Sequence, residues 1–165
     1  MWDNAEVVVL LNSEGRVRAI SRNEDEALIR NPIGMGIMES VHPDSQTAAE
    51  AAFRAALDGV SSTVLLCFVA DDGRLYWSRS VVRPSPLKEA AVLVHSRRLP
   101  NEWGSLTQRE REVIGALHEA DMNPKRAARR LGISQHTLNA HRRSITKKCQ
   151  LKSVGDFWIF VERCR

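Results

Sequence analysis

Three consecutive residues, Gly132-Ile133-Ser134, constrain this chain more tightly than any other feature. Before them, Asn123-Pro124 joins a capping residue to a proline at the first helical position, where its missing N–H costs nothing, and a short helix from Lys125 to Leu131 follows. Gly132 stops that helix, and Ser134 caps a longer one that runs to about Cys149. Two helices joined across so short a turn, the second basic, make the sequence pattern of a helix-turn-helix. A helix comes earlier at the capping box Thr107-Gln-Arg-Glu110, with Val113, Ile114, Leu117 and Ala120 at helical spacing as its buried face. A last helix opens at Ser153 and carries Phe157, Trp158, Phe160 and Val161.

Helical phase then sorts the side chains after Ser134. Leu138, His141, Ile145 and Cys149 share one side at spacings of three and four and should face the preceding helices. Asn139, Arg142, Arg143, Thr146 and Lys147 point outward. Asn139 and Arg143 lie one turn apart, about 6 Å on a helix surface, so both can enter one groove. Asn pairs bidentately with adenine and Arg with guanine, each worth about 1–3 kcal/mol of discrimination.

Charge is distributed to match. Residues 1–100 hold 11 Lys+Arg against 13 Asp+Glu, whereas residues 101–165 hold 13 against 7. Between Asp121 and Asp156 there is no acid, yet nine basic residues lie there: Lys125, Arg126, Arg129, Arg130, Arg142, Arg143, Lys147, Lys148 and Lys152. A field of one sign attracts polyanions, whereas a merely solvated face mixes signs. A metal site on the same helix is disfavoured because His136 and His141 are five apart, about 140° around the axis. A membrane-surface helix would need large apolar residues opposite the charge, and only Leu138 and Ile145 are there. The longest purely apolar run, Val64 to Ala70, is far below the roughly 20 residues of a membrane span, and the acidic start lacks the regions of a signal peptide. Cys67, Cys149 and Cys164 form no C-x-x-C pair and read as free thiols, so the expectation is a cytoplasmic protein without a membrane partner. No nucleophile elbow, phosphate-cradling loop or paired-acid constellation stands out, and the chain reads as a non-enzyme with no catalytic and no metal residue to name.

The first hundred residues have a different organisation. Val7–Leu11 and Arg16–Ile20 flank the turn Asn12-Ser-Glu-Gly15, and an alanine-rich helix, Ser45 to Leu57, stops at Gly59 with Ala52, Phe53, Ala56 and Leu57 on one side. Thr63–Ala70 and Leu75–Val82 flank Asp71-Asp-Gly73, and Ala91–His95 adds a fifth strand. His42 and His95 are conceivable haem ligands and Cys67 a conceivable flavin-adduct site. Each has a plainer structural role, in a loop phrase or inside an apolar strand.

The hairpin, the phrase Val41-His-Pro-Asp44, the helix end Ala55-Ala-Leu-Asp-Gly59, and Asp72-Gly73 followed by Trp77 resemble a PAS domain over residues 5 to about 98. That resemblance implies an α+β domain, a five-stranded antiparallel sheet with helices on one side, that senses a small ligand or redox state or mediates pairing. The stretch Ser21–Glu39 is shorter than that family's helical middle, which implies a small cofactor cavity or none. No cofactor is evident, and a small ligand of this domain is allowed but unnamed. Arg97-Arg-Leu-Pro-Asn-Glu-Trp-Gly104 reads as a linker, so the expected domains are 1–98, a linker at 99–105, and an all-α four-helix domain at 106–165.

Leu106-Thr-x-Arg109-Glu-x-Glu112-Val, followed by Ala127-Ala-x-x-Leu131-Gly-Ile-Ser134-x-x-Thr137-Leu-x-x-His141-x-x-x-Ile145-x-x-Lys148, resembles the DNA-binding domain of LuxR/GerE-type transcription regulators. Leu138 stands where valine is usual, Cys149 where leucine is usual, and Asn139 where lysine is frequent. The resemblance implies base reading by Asn139, Ala140 and Arg143, and phosphate contact by Thr137 and Lys148. Ser134, His136, Arg142 and Lys147 are further phosphate candidates. The last helix matches the family's dimer surface, with Phe157, Trp158 and Val161 as candidates. The expected partners are double-stranded DNA and a second copy of the chain, with RNA polymerase open. Two alternatives stand beside this reading. A sigma-factor-like subunit would share the helix-turn-helix, but residues 1–100 do not look like its helical, aromatic-rich partner region. A PAS-type sensor whose basic domain makes only protein contacts is the other.

Overall fold

The computed structural model describes residues 6–21 and 32–164, which divide into two compact units, Met1–Leu99 and Pro100–Arg165. The readings of the first five residues and of the Ser21–Glu39 stretch up to residue 31 lie outside the described residues.

In the first unit β1 (Glu6–Leu11) turns into β2 (Val17–Ser21). The turn works because Asn12 Oδ1 accepts from the Glu14 and Arg16 N–H groups and Gly15 takes φ +75. After a 3-10 turn, Ile37–Ser40, come α1 (Pro43–Leu57), β3 (Ser62–Val69), β4 (Leu75–Pro84) and β5 (Val92–Arg98). The strands form one antiparallel sheet in the order β2-β1-β5-β4-β3, and α1 packs on β3, β4 and β5. This is the α+β arrangement that the PAS resemblance implies.

Helix α1 begins two residues earlier than expected because His42 is its cap, its Nδ1 accepting from the Asp44 N–H at 3.3 Å. Ser45, the expected start, instead accepts from the Cys67 N–H at 3.0 Å and ties the helix to the sheet. The buried stripe is Ser45, Ala49, Ala52 and Ala56, with Phe53 half-buried and Leu57 43% exposed. Leu57 thus leaves the expected face. Alanines let the helix lie close to Val9, Leu11, Val82, Val92 and Val94, which form the core.

The second unit holds a 3-10 turn, Asn101–Ser105, then α2 (Gln108–Glu119), α3 (Pro124–Arg130), α4 (Gln135–Lys148) and α5 (Val154–Arg163). Each α-helix has a side-chain N-cap: Thr107, Asn123, Ser134 and Ser153. Gly132, at φ +63, lets the Ile133 N–H return to the Ala128 carbonyl, so the α3–α4 turn closes within four residues. Val113, Ile114 and Leu117 of α2, Ala127 of α3, Leu138 and Ile145 of α4, and Phe157 and Val161 of α5 are all buried. The stretch expected as linker is structured: Arg97 and Arg98 belong to β5, the Leu99 N–H donates to the Trp77 carbonyl, and Trp103 is 1% exposed under the Arg111 guanidinium.

Candidate nucleic-acid interface

Helix α4 is shaped by what its two sides meet. Leu138 and Ile145 are fully buried, and exposed on the far side are Ala140, Arg143 and Lys147, with Asn139 and Thr146 half-buried beside them. Ser134 accepts from the Thr137 N–H at 3.0 Å while its hydroxyl meets the Thr137 hydroxyl at 2.9 Å. Ser134, His136 and Thr137 therefore form an exposed polar first turn. Between α4 and the segment that leads into α5 an open concavity of about 670 Å³ is walled by Asn139, Arg142, Arg143, Lys147, Gln150 and Lys152, with no acid in its lining.

The nine cations between Asp121 and Asp156 have different occupations. Arg126 reaches Asp121 at 3.1 Å and Arg130 reaches Glu119 at 2.7 Å, both at the surface. Lys148 donates to Glu110 Oε2 at 2.8 Å. Arg142 is half-buried, its Cζ 5.0 Å from the Phe157 ring centroid and 4.8 Å from that of Trp158, and desolvation pulls its pKa below the ordinary arginine value. Lys125, Arg129, Arg143, Lys147 and Lys152 are exposed without a carboxylate partner among the described residues. Those five carry the field that a polyanion would meet.

Glu110 is the organising acid. It is 3% exposed, and it accepts from the Thr107 N–H at 2.7 Å, the Thr107 hydroxyl at 3.0 Å, the Ser144 hydroxyl at 2.7 Å and the Lys148 ammonium. Burial pushes its pKa up, but the bonds from Lys148, Thr107 and Ser144 outweigh this and hold it at about 2. The capping box that starts α2 therefore also fixes the C-terminal half of α4. Arg109 adds a second tie, donating to Glu112 at 2.7 Å and to the Leu131 carbonyl at 3.3 Å.

Residues 104–160 match the family of bacterial regulatory proteins known as the luxR family. Over 59 residues the chain is 44% identical to the transcriptional regulatory protein TdiR of Thauera aromatica, a match covering 36% of this chain and 26% of TdiR. The chain thus spans about a quarter of that relative's length. Among solved structures it is similar to VqmA of Vibrio cholerae, with 15% identity and a TM-score of 0.48 over 95% of this chain and 82% of that one. It is also similar to the PAS-B domain of Drosophila melanogaster Cycle, with 14% identity and a TM-score of 0.48 over 56% of this chain and 99% of that one.

Within residues 104–160 the expected site residues are brought together unevenly. Asn139, Ala140, Arg143 and Lys147 share one accessible face. Of the residues expected as phosphate contacts, Arg142 is half-buried against aromatic rings, and Lys148 is exposed with its ammonium bonded to Glu110. Of the dimer-surface candidates, Phe157 and Val161 are 2% and 0% exposed, while Trp158 is half-buried beside Arg142. Val154 and Ile159, 67% and 61% exposed, are the large apolar side chains that α5 does present. Sequence alone does not separate the buried from the exposed apolar residues of α5, because the helix carries them around most of its circumference. Sequence reasoning also missed Lys152 as a wall of the concavity, although the acid-free run already contained it.

The first unit offers a smaller site. On the inner face of the sheet Ser78, Ser80 and Ser96 form a hydroxyl chain, with Oγ atoms 3.0 and 2.8 Å apart, at strand positions where Val82 and Val94 sit further along. A cavity of about 80 Å³ beside them is lined by Val9, Ile37, Phe68, Tyr76, Ser78, Ser96 and Arg98, among others. Tyr76 stacks on Phe68, and burial pushes its pKa up to about 12, so it stays a neutral donor. His42 serves as the helix cap, His95 contacts Glu6 at 3.3 Å, and Cys67 is buried in β3. No cluster of three or more metal-ligating side chains forms among the described residues, and no described helix is long and apolar enough to cross a membrane.

Proposed function

We propose that this chain is a sequence-specific DNA-binding transcription regulator of the cytoplasm, with no enzymatic step of its own. One observation carries the reading: on a luxR-family helix-turn-helix, Arg143 and Lys147 stand exposed and unpaired beside Asn139, on a face that the core does not use. Helix α4 enters the major groove, Asn139, Ala140 and Arg143 meet base edges, and Ser134, His136, Thr137, Lys147 and Lys152 meet phosphate oxygens. Five unpaired cations suit a polyanion whose condensed counterions are released on binding. A second copy of the chain would set two such helices about one helical turn apart on DNA, with Val154 and Ile159 available at the contact. The first unit passes on a signal or mediates pairing, and the hydroxyl-lined cavity has room for a ligand of only a few non-hydrogen atoms.

Selection from random duplex DNA with purified full-length protein tests this. Enrichment of a motif whose information is lost in Arg143→Ala supports the reading. Absence of any enriched sequence, at low salt and across candidate small polar ligands, overturns it and favours a basic unit that serves protein contacts.

A further inference from the structure

Arg142 and Asn139 lie one turn apart on α4, and Arg142 Nη1 donates to Asn139 Oδ1 at 3.3 Å. The guanidinium is held by the Phe157 and Trp158 rings, themselves edge to face at 5.2 Å, instead of by a carboxylate. Its Nε is buried with no hydrogen-bond partner, so the Nε edge of the guanidinium is closed to an incoming phosphate. The planar group is therefore anchored on α5 and aims one donor edge at the side chain beside it.

We propose that Arg142 is a positioning residue for base reading: it locks the Asn139 amide in one orientation and so narrows what Asn139 reads to adenine. This rests on the reading of α4 as the helix that enters the major groove. A free asparagine can exchange its oxygen and nitrogen by a half-turn and offer either an acceptor or a donor at one spot. Arg142 has only donors, so the flipped amide would set N–H against N–H, and the half-turn is disfavoured. The locked amide offers the donor Nδ2 and the second lone pair of Oδ1 in fixed order. Adenine presents one acceptor, N7, and one donor, N6, in the major groove, whereas guanine presents two acceptors and cytosine a single donor. An amide that cannot turn rejects both.

The test uses the full chain on its selected duplex and on that duplex with each base substituted in turn. The base pair read by Asn139 is the one whose preference disappears in Asn139→Ala. Arg142→Met keeps an apolar stem over the rings but has no donor. The expected result is a loss of about tenfold in adenine preference at that pair alone, with the preference at the Arg143 pair and the salt slope unchanged. Arg142→Lys, which restores a donor, recovers part of the preference. If Arg142→Met does not fold, Trp158→Leu removes one of the two rings that hold the guanidinium and leaves the guanidinium itself, and the same preference falls there.

The proposal is overturned if the pair read by Asn139 prefers a base other than adenine. It is equally overturned if the Arg142 variants keep the preference, or if they weaken all duplexes alike with a salt slope smaller by about one phosphate. Asn139→Ala changing no pair, or wild-type protein enriching no sequence, overturns the reading of α4 and this proposal with it.

Discussion

Helix α4 contains two adjacent pairs of cations, Arg142-Arg143 and Lys147-Lys148, whose members have unlike occupations. Arg143 and Lys147 are exposed without a carboxylate partner among the described residues, whereas Arg142 lies over two aromatic rings and Lys148 is bonded to a carboxylate that is 3% exposed. One residue of sequence is a 100° rotation, enough to bring a charge within reach of a group on a neighbouring helix. Basic residues counted along a helix therefore overstate the charge available to a partner.

The largest way to break this contrast is at the acid. Glu110→Ala removes the box that starts α2 and the acceptor for Ser144 and Lys148, and it should destabilise the second unit by about 2–4 kcal/mol, a lost cap plus lost hydrogen bonds to a charged group. Urea unfolding followed by hydrogen exchange of the α2 and α4 amides measures it. Lys148→Ala leaves a buried carboxylate with only its hydroxyl and N–H donors, at about 1–3 kcal/mol, while Lys147→Ala stays within about 0.5 kcal/mol. Equal effects at 147 and 148 would erase the distinction.

In DNA binding the order reverses. Arg143→Ala should weaken the selected duplex by roughly 10- to 100-fold with little change on random duplex, whereas Lys147→Ala should lower affinity for all duplexes alike and reduce the salt slope by about one. Acid titration provides the gentlest test. Because the Glu110 pKa is depressed in the folded state to about 2, its contribution to stability is complete above the ordinary carboxylate value of 4.5 and is lost as pH falls toward 2. Thermal unfolding of the wild-type chain should steepen over that window, and Glu110→Gln should flatten the curve. An unchanged curve would mean that the carboxylate is not held by Lys148 and the two hydroxyls.

Much of the fold is legible because it rests on local chemistry. Thr107, Asn123, Ser134 and Ser153 cap the four helices, Gly132 supplies a left-handed stop, and Asp71-Asp-Gly73 turns one hairpin, each within a few residues of sequence. The candidate reading face is legible for the same reason, since Asn139 and Arg143 follow from helical phase alone.

The reach of Glu110 across to Ser144 and Lys148, the seating of Arg142 on Phe157 and Trp158, and the burial of Phe157 and Val161 are long-range facts. So is the placing of Ser78, Ser80 and Ser96 in one hydroxyl chain on the inner face of the sheet. Periodicity shows which side of a helix or strand a residue occupies. It does not show which neighbour covers that side, because partners tens of residues away meet only when the elements pack. The amino-acid order alone therefore sets the helices, their ends and their basic character. Packing decides which of those charges remain free to meet another molecule.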